Sequence, residues 1–199
     1  MICEIGCKKL VIPILVILII FSLNFYPSYA AAPSNNLVVS DTITKWVTSS
    51  DSSLIYAVAS NTGQLFCINA NTLTIAKMIK VSSNLQDICL YKGIIYISIP
   101  SAKQIVTIDE ATLTIIDRYY TTADAYSIAV EDGKLFYATQ KWVSYLYELN
   151  LATGIDKLTS AGRLSEPDIE IDPEKHILYI GESGSSGSDF IAISTLDYS

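Results

Sequence analysis

Three carboxylates stand at alternate positions in EPDIEIDPE, residues 166–174: Asp168, Glu170 and Asp172, separated by Ile169 and Ile171. In an extended strand, side chains two residues apart leave the same face about 7 Å from one another, so these three would form an anionic row. Such a row repels itself unless a positive group arrives, and a hard, oxygen-preferring cation such as Ca2+ would supply one. Asp168, Glu170 and Asp172 are therefore the candidate metal ligands. The spacing is not that of an EF-hand, and the preceding repeat carries Ser127 and Ala129 in the matching places. The alternative is a set of solvated carboxylates facing a channel or a loop surface.

A second candidate site is aromatic. Tyr and Trp bury area while keeping a polar handle, which suits contact surfaces. Most of the thirteen Tyr fall where packing explains them. Trp142 and Tyr145 do not, because TQKWVSY at 139–145 reads as a polar connection. They are the candidate contact surface. No catalytic residue is assigned. His176 is the only histidine, no G-x-S-x-G elbow is present, and His176 reads as an exposed turn residue. GESGSSGSD at 181–189 lacks the P-loop lysine and precedes a strand rather than a helix, so it reads as a flexible connection and not a phosphate cradle.

The elements that must position these residues repeat. LIYAV at 54–58 returns as IIYIS at 94–98, LFYAT at 135–139 and ILYIG at 177–181; the aromatic positions are 40, 40 and 43 residues apart. Before each of the last three copies runs an alternating strand: Ile88 and Leu90, Ile128 and Val130, Ile169 and Ile171. Lys92-Gly93, Asp132-Gly133 and Asp172-Pro173 mark the turns between them, the first two being tight-hairpin pairs. A third strand follows (Leu65 to Ile68, Ile105 to Ile108, Tyr147 to Leu149), then NANT, DEAT or NLAT, then a charged outer strand at 75–81, 115–121 or 155–159. Short strands at a forty-residue period are the pattern of propeller blades. The expected fold is all-β, a β-propeller-type array of about four blades within a larger ring. The blades are expected at 44–82, 83–121, 122–161 and 162–199. Residues 31–43 precede them, and LVVSDTI at 37–43 could close the ring as an edge strand. Cys67, Thr107, Glu148 and Ala192 share one repeat position, and a place that takes both charge and sulfur reads as lying outside the deep core.

IYISIPSAKQIVTIDEATLTII at 95–116 and YSIAVEDGKLFYAT at 126–139, with Pro167 heading an inner strand, resemble the YVTN-type β-propeller repeat family. The likeness runs over roughly 44–197. It implies an exported or surface-layer-like protein whose complete rings usually have seven blades.

Residues 1–30 read apart from the fold. Lys8 and Lys9 precede the apolar run LVIPILVILIIF at 10–21, and Ser28 and Ala30 are small. This is the form of a cleaved secretory signal peptide; a retained membrane anchor is the rival. Its removal takes one Glu and two Lys, turning the net charge from −7 to −8. That balance argues against nucleic acid or anionic lipid as partner. Export permits a disulfide, but Cys67 and Cys89 are expected to be free. The expected function is binding or scaffolding at the cell surface, with an unidentified protein or cell-wall glycan as ligand and no cofactor other than Ca2+. The membrane is a partner only if the leader is retained. The alternatives are part of an extracellular propeller enzyme, or a self-assembling surface-layer component.

Overall fold

The computed structural model describes residues 36–184 and 189–198. Residues 1–30, read above as a signal peptide, lie outside them. Among the described residues there is no α-helix, only a single 3-10 turn at Pro100–Ala102. Four antiparallel sheets follow one another in chain order, each with neighbouring strands joined in sequence. Blade 1 holds β1 (Ile43–Thr48), β2 (Leu54–Ala59), β3 (Gln64–Asn69) and β4 (Thr74–Lys80). Blade 2 holds β5 (Ile88–Tyr91), β6 (Ile94–Ile99), β7 (Gln104–Asp109) and β8 (Thr114–Tyr120). Blade 3 holds β9 (Ser127–Glu131), β10 (Lys134–Ala138), β11 (Ser144–Asn150) and β12 (Asp156–Leu164). Blade 4 has three strands, β13 (Pro167–Asp172), β14 (Ile177–Glu182) and β15 (Phe190–Ser194). The chain is a four-bladed β-propeller.

Local chemistry sets the hairpins. Lys92 and Gly93 both take positive φ, as do Asp132 and Gly133, the two-residue turn whose twist matches that of the flanking strands. Between third and fourth strands an Asx turn recurs. Asn69 Oδ1 accepts from the amides of Asn71 and Thr72, Asp109 Oδ1 from that of Thr112, and Asn150 Oδ1 from those of Ala152 and Thr153. Each turn ends on a left-handed residue, Leu73, Leu113 or Gly154, so the Asx side chain stabilises a conformation that leucine rarely adopts.

The aromatic phrase occupies the second strand of each blade and points at the next one. Tyr56, Val58, Leu65 and Cys67 pack against Ile95, Ile97, Ile99 and Val106 of blade 2. Tyr96 and Ile105 pack against Leu135, Tyr137 and Leu149 of blade 3. Phe136, Ala138 and Leu146 pack against Ile169, Leu178 and Ile180 of blade 4. Full burial of one such side chain is worth about 1.5–3 kcal/mol. Polar ties at the turn end follow the same order: Glu110 accepts from Ser50, Asp132 from Tyr91 and Lys92, and Glu131 from Thr195. Blade 1's remaining face holds a separate cluster, Ala57, Ala59, Phe66 and Ile68, covered by Leu37, Val39 and Ile43.

Three expectations change. The position shared by Cys67, Thr107 and Glu148 is buried in blades 1 to 3. Glu148 is only 5% exposed, yet it lies 3.0 Å from Lys157 and 3.7 Å from Lys134 and accepts a hydrogen bond from Tyr198. The charge is tolerated there because it is compensated. The outer strand of blade 3 runs to Leu164, past the expected boundary at 161, with Gly162 at φ +91°. Residues 37–42 carry no strand; they lie over blade 1. Cys67 and Cys89 are free thiols, and burial pushes Cys67 up to about 11.

Glycine is required at position 63. Its φ is +64°, and a Cβ there would meet the Ser82 carbonyl oxygen at 1.5 Å. Gly133 has φ +78° with nothing within 4 Å of its would-be Cβ. Gly63→Ala is expected to cost about 2–4 kcal/mol and Gly133→Ala about 1 kcal/mol, compared by urea denaturation. Equal costs would contradict the packing of β2–β3 against the blade 1–2 connection.

Candidate functional site at the channel mouth

The four inner strands β1, β5, β9 and β13 begin at one end of the axis, here called the upper end. The β2–β3, β6–β7, β10–β11 and β14–β15 loops reach the same end. One residue of each inner strand, or just before it, lies opposite the position two past the aromatic of its neighbour: Lys45 opposite Val58, Asp87 opposite Ser98, Ser127 opposite Ala138, Asp168 opposite Gly181. These four equivalent residues line a funnel of about 510 Å³ with Gln86, Tyr126, Gln140 and Glu182. Below it, a second cavity of about 390 Å³ is lined by all four inner strands, Glu170 among them.

The four residues form a polar circuit from blade to blade. Asp87 Oδ2 accepts from the Ile128 amide of blade 3 at 2.8 Å. Ser127 Oγ accepts from the Ile169 amide of blade 4 at 2.9 Å and donates to Asp168 at 2.8 Å. Each acceptor thus satisfies the first free amide of the next inner strand. Lysine has no acceptor, so the step from blade 1 to blade 2 differs: the Ile88 amide bonds to Oδ1 of its own neighbour Asp87 at 2.8 Å. Lys45 reaches Asp168 instead, at 2.8 and 3.0 Å, and so links the first blade to the last.

The electrostatics follow from this wiring. Burial pushes Asp87 up to about 6, against the pull of its two amide donors and the Lys45 charge, with Asp168 adding to the rise. Burial also acts to raise Asp168, but the hydrogen bonds from Lys45 and Ser127 outweigh it and hold that carboxyl below its ordinary value. Glu170 is raised, by burial first and by Asp168 as well, against the Lys45 charge.

The candidate metal ligands are thereby distributed. Asp168 is engaged by Lys45 and Ser127, and Glu170 lines the channel below it. Asp172 closes the β13–β14 turn, accepting from the amides of Glu174 and Lys175 and pairing with Lys175 Nζ at 2.7 Å. Among the described residues no group of three His, Cys, Asp or Glu side chains is arranged to hold a metal ion. His176 is not a plain surface residue: its Nδ1 lies 3.3 Å from the buried Glu131 carboxylate at the lower end, at the other end of β9 from Ser127. Trp142, 61% exposed, and Tyr145 stand on or beside the β10–β11 loop, whose Gln140 lines the funnel. Lys45 and Asp87 carry no motif in the sequence. The signal that finds them is vertical, the repeat position just before Ile88, Ile128 and Ile169.

No protein-family model matches the chain, and no curated protein matches it in sequence. Solved structures match it in fold. Hydrazine synthase of Kuenenia stuttgartiensis superposes with a TM-score of 0.63 at 9% identity, over 83% of this chain and 50% of that one. The Cps50 (Swd1) β-propeller domain of Myceliophteria thermophila gives 0.59 at 15% identity, over 75% and 53%. The computationally designed Ika4 protein gives 0.59 at 11% identity, over 79% and 94%. The chain thus spans about half the length of the two natural proteins. These likenesses show the propeller architecture alone, a fold that carries many unrelated functions.

Asp87 makes the pH response of the fold readable. A carboxyl with a raised folded pKa holds its proton in the folded state while the unfolded chain has lost it. Its contribution is therefore most favourable below the ordinary carboxylate range, and it declines as pH rises through about 6. Asp87→Asn should abolish that decline, worth up to about 3 kcal/mol, in urea-unfolding free energies measured from pH 4 to 7.5. An unchanged pH slope in the variant would refute the buried, charged Asp87.

Proposed function

We propose that this chain is an exported propeller module of the YVTN-type repeat kind, which binds a protein or cell-wall glycan partner at the cell surface through its upper face. The observation that carries this reading is the funnel. All four blades contribute to it, its polar lining is held in place by blade-to-blade hydrogen bonds, and Trp142 stands exposed on a neighbouring loop. A rigid, polar mouth beside an exposed aromatic is the arrangement of a recognition surface. The carboxylates Asp87, Glu166, Asp168 and Glu182 outnumber Lys45 in that lining, which favours a basic segment on the partner. The apolar leader and the resemblance of residues 44–197 to YVTN-type repeats support export.

Two measurements test the reading. N-terminal sequencing of the protein from a secreting host should begin at Ala31; recovery of intact residues 1–30 would overturn the signal peptide. Against basic peptides and cell-wall polysaccharide fragments, the processed protein should bind one class, and Trp142→Ala should weaken that binding about tenfold with no change in melting temperature. Binding to neither class, or full affinity in the Trp142 variant, would defeat the assignment of this face.

A further inference from the structure

We propose that the junction between blades 4 and 1 binds a quaternary ammonium group, with Glu170 as its counter-charge and Trp46 as its aromatic wall. The inner strands set the comparison. Counted from Lys45, Asp87, Ser127 and Asp168, the next residue along each inner strand is Trp46, Ile88, Ile128 or Ile169, and the one after it is Val47, Cys89, Ala129 or Glu170. Successive strand residues face opposite sides of a sheet, so the second of these positions in one blade meets the first in the blade that follows. Val47 packs with Ile88 between blades 1 and 2, Cys89 with Ile128 between blades 2 and 3, and Ala129 with Ile169 between blades 3 and 4. At the fourth junction the same two positions hold Glu170 and Trp46. Ile88, Ile128 and Ile169 are buried, whereas Trp46 is 61% exposed.

Both residues line the lower cavity of about 390 Å³, a size within the range of about 300–1,000 Å³ that small-molecule sites occupy. Glu170 is the only acidic residue in that lining. Among the described residues it accepts no hydrogen bond, and the Lys45 charge that favours its ionised form is itself held by both oxygens of Asp168, at 3.0 and 2.8 Å. Glu148 shows the contrast, since Lys157, Lys134 and Tyr198 all converge on that carboxylate. More aromatic surface adjoins Glu170. Its cross-strand partner is Tyr179, which shares its face and stacks on Phe190 with ring centroids 5.8 Å apart.

The lining selects the ligand. A hard metal ion takes several oxygen ligands, and a single carboxylate does not supply them. A primary ammonium brings three N–H donors that each need an acceptor, and the wall around Glu170 is largely Ile88, Leu90, Ile128, Ala129, Val130 and Ile171. A quaternary ammonium has no N–H to satisfy. It presents methyl groups to aliphatic walls and carries a charge that a carboxylate and the face of an indole both attract. The site shares only Lys45 with the lining of the upper funnel and does not rest on the reading of that face.

Isothermal titration calorimetry with choline tests the proposal. The control is choline's neutral carbon isostere, in which a tert-butyl group replaces trimethylammonium. Choline should bind at one saturable site, and the neutral alcohol at least about tenfold more weakly. Glu170→Gln and Trp46→Leu should each lower choline affinity about tenfold, and Trp46→Phe, which keeps a ring, should lose less. Melting temperatures show whether each variant is folded; Glu170→Gln removes the charge and keeps the shape, so it decides the matter if Trp46→Leu does not fold. No saturable choline binding, equal affinity for the neutral alcohol, or full affinity in Glu170→Gln would overturn the proposal. Phosphatidylcholine vesicles separate the sources of the group. Retention of the protein on them, reversed by free choline, would assign a lipid headgroup, and choline binding without retention would assign a free solute.

Discussion

A sheet whose central strands are apolar on both faces has to be covered twice. In this chain β6 and β10 each send one set of side chains toward the preceding blade and the other, led by Tyr96 or Phe136, toward the following one, while β2 sends Tyr56 toward blade 2 and has its other face covered by Leu37, Val39 and Ile43. No single forty-residue unit can bury both sets, so each blade is completed only by its neighbours. The rest of the structure follows from that requirement. The outer strands β4 and β8 are the ones left with largely exposed residues, and they carry the Lys, Arg and Asp that keep their free edges from pairing with other chains.

The same requirement explains why polar groups gather at the axis. The inner strands converge there, and their first amides are turned toward a neighbouring strand that has no ladder to offer them. A buried amide must find an acceptor, and the residue at the head of the preceding blade's inner strand is the nearest one available. Asp87 and Ser127 fill that role. Lys45 cannot, and its position in the first blade is where the circuit changes from amide capping to a salt bridge with Asp168. The funnel is therefore a structural consequence of packing blades around an axis. A recognition site built on it inherits positions already fixed by the fold.

Much of the architecture was legible because it is stated repeatedly. The period gave the blades, the Lys-Gly and Asp-Gly pairs gave two of the hairpins, and NANT, DEAT and NLAT gave the Asx turns. The site was less legible because its parts are scattered. Reading along the strand found Asp168, Glu170 and Asp172 as a row, and strand alternation does bring the first two to the axis. It could not show that Lys45, more than a hundred residues earlier, neutralises Asp168, or that Asp172 belongs to a turn with Lys175. Glu148 misled for a related reason. A charge in a repeat position looks like exposure until the partners Lys134, Lys157 and Tyr198, each from a different element, are seen to converge on it.

Closure is where the two constraints meet. Between blades 1 and 2, 2 and 3, and 3 and 4, apolar burial and polar ties act together at every level from axis to rim. Between blades 4 and 1 the Lys45–Asp168 bridge holds the axis, with Lys45 about one-third exposed and Asp168 about two-thirds exposed at the side chain. An exposed ion pair of this kind contributes about 0–1 kcal/mol, far less than the apolar clusters at the other junctions. A ring held there by that bridge alone would open at this junction before any other. Apolar residues stand on both sides of this junction, Tyr179 and Phe190 on blade 4 and Leu37 and Val39 over blade 1, and burying them against one another would hold it far more firmly than the bridge does.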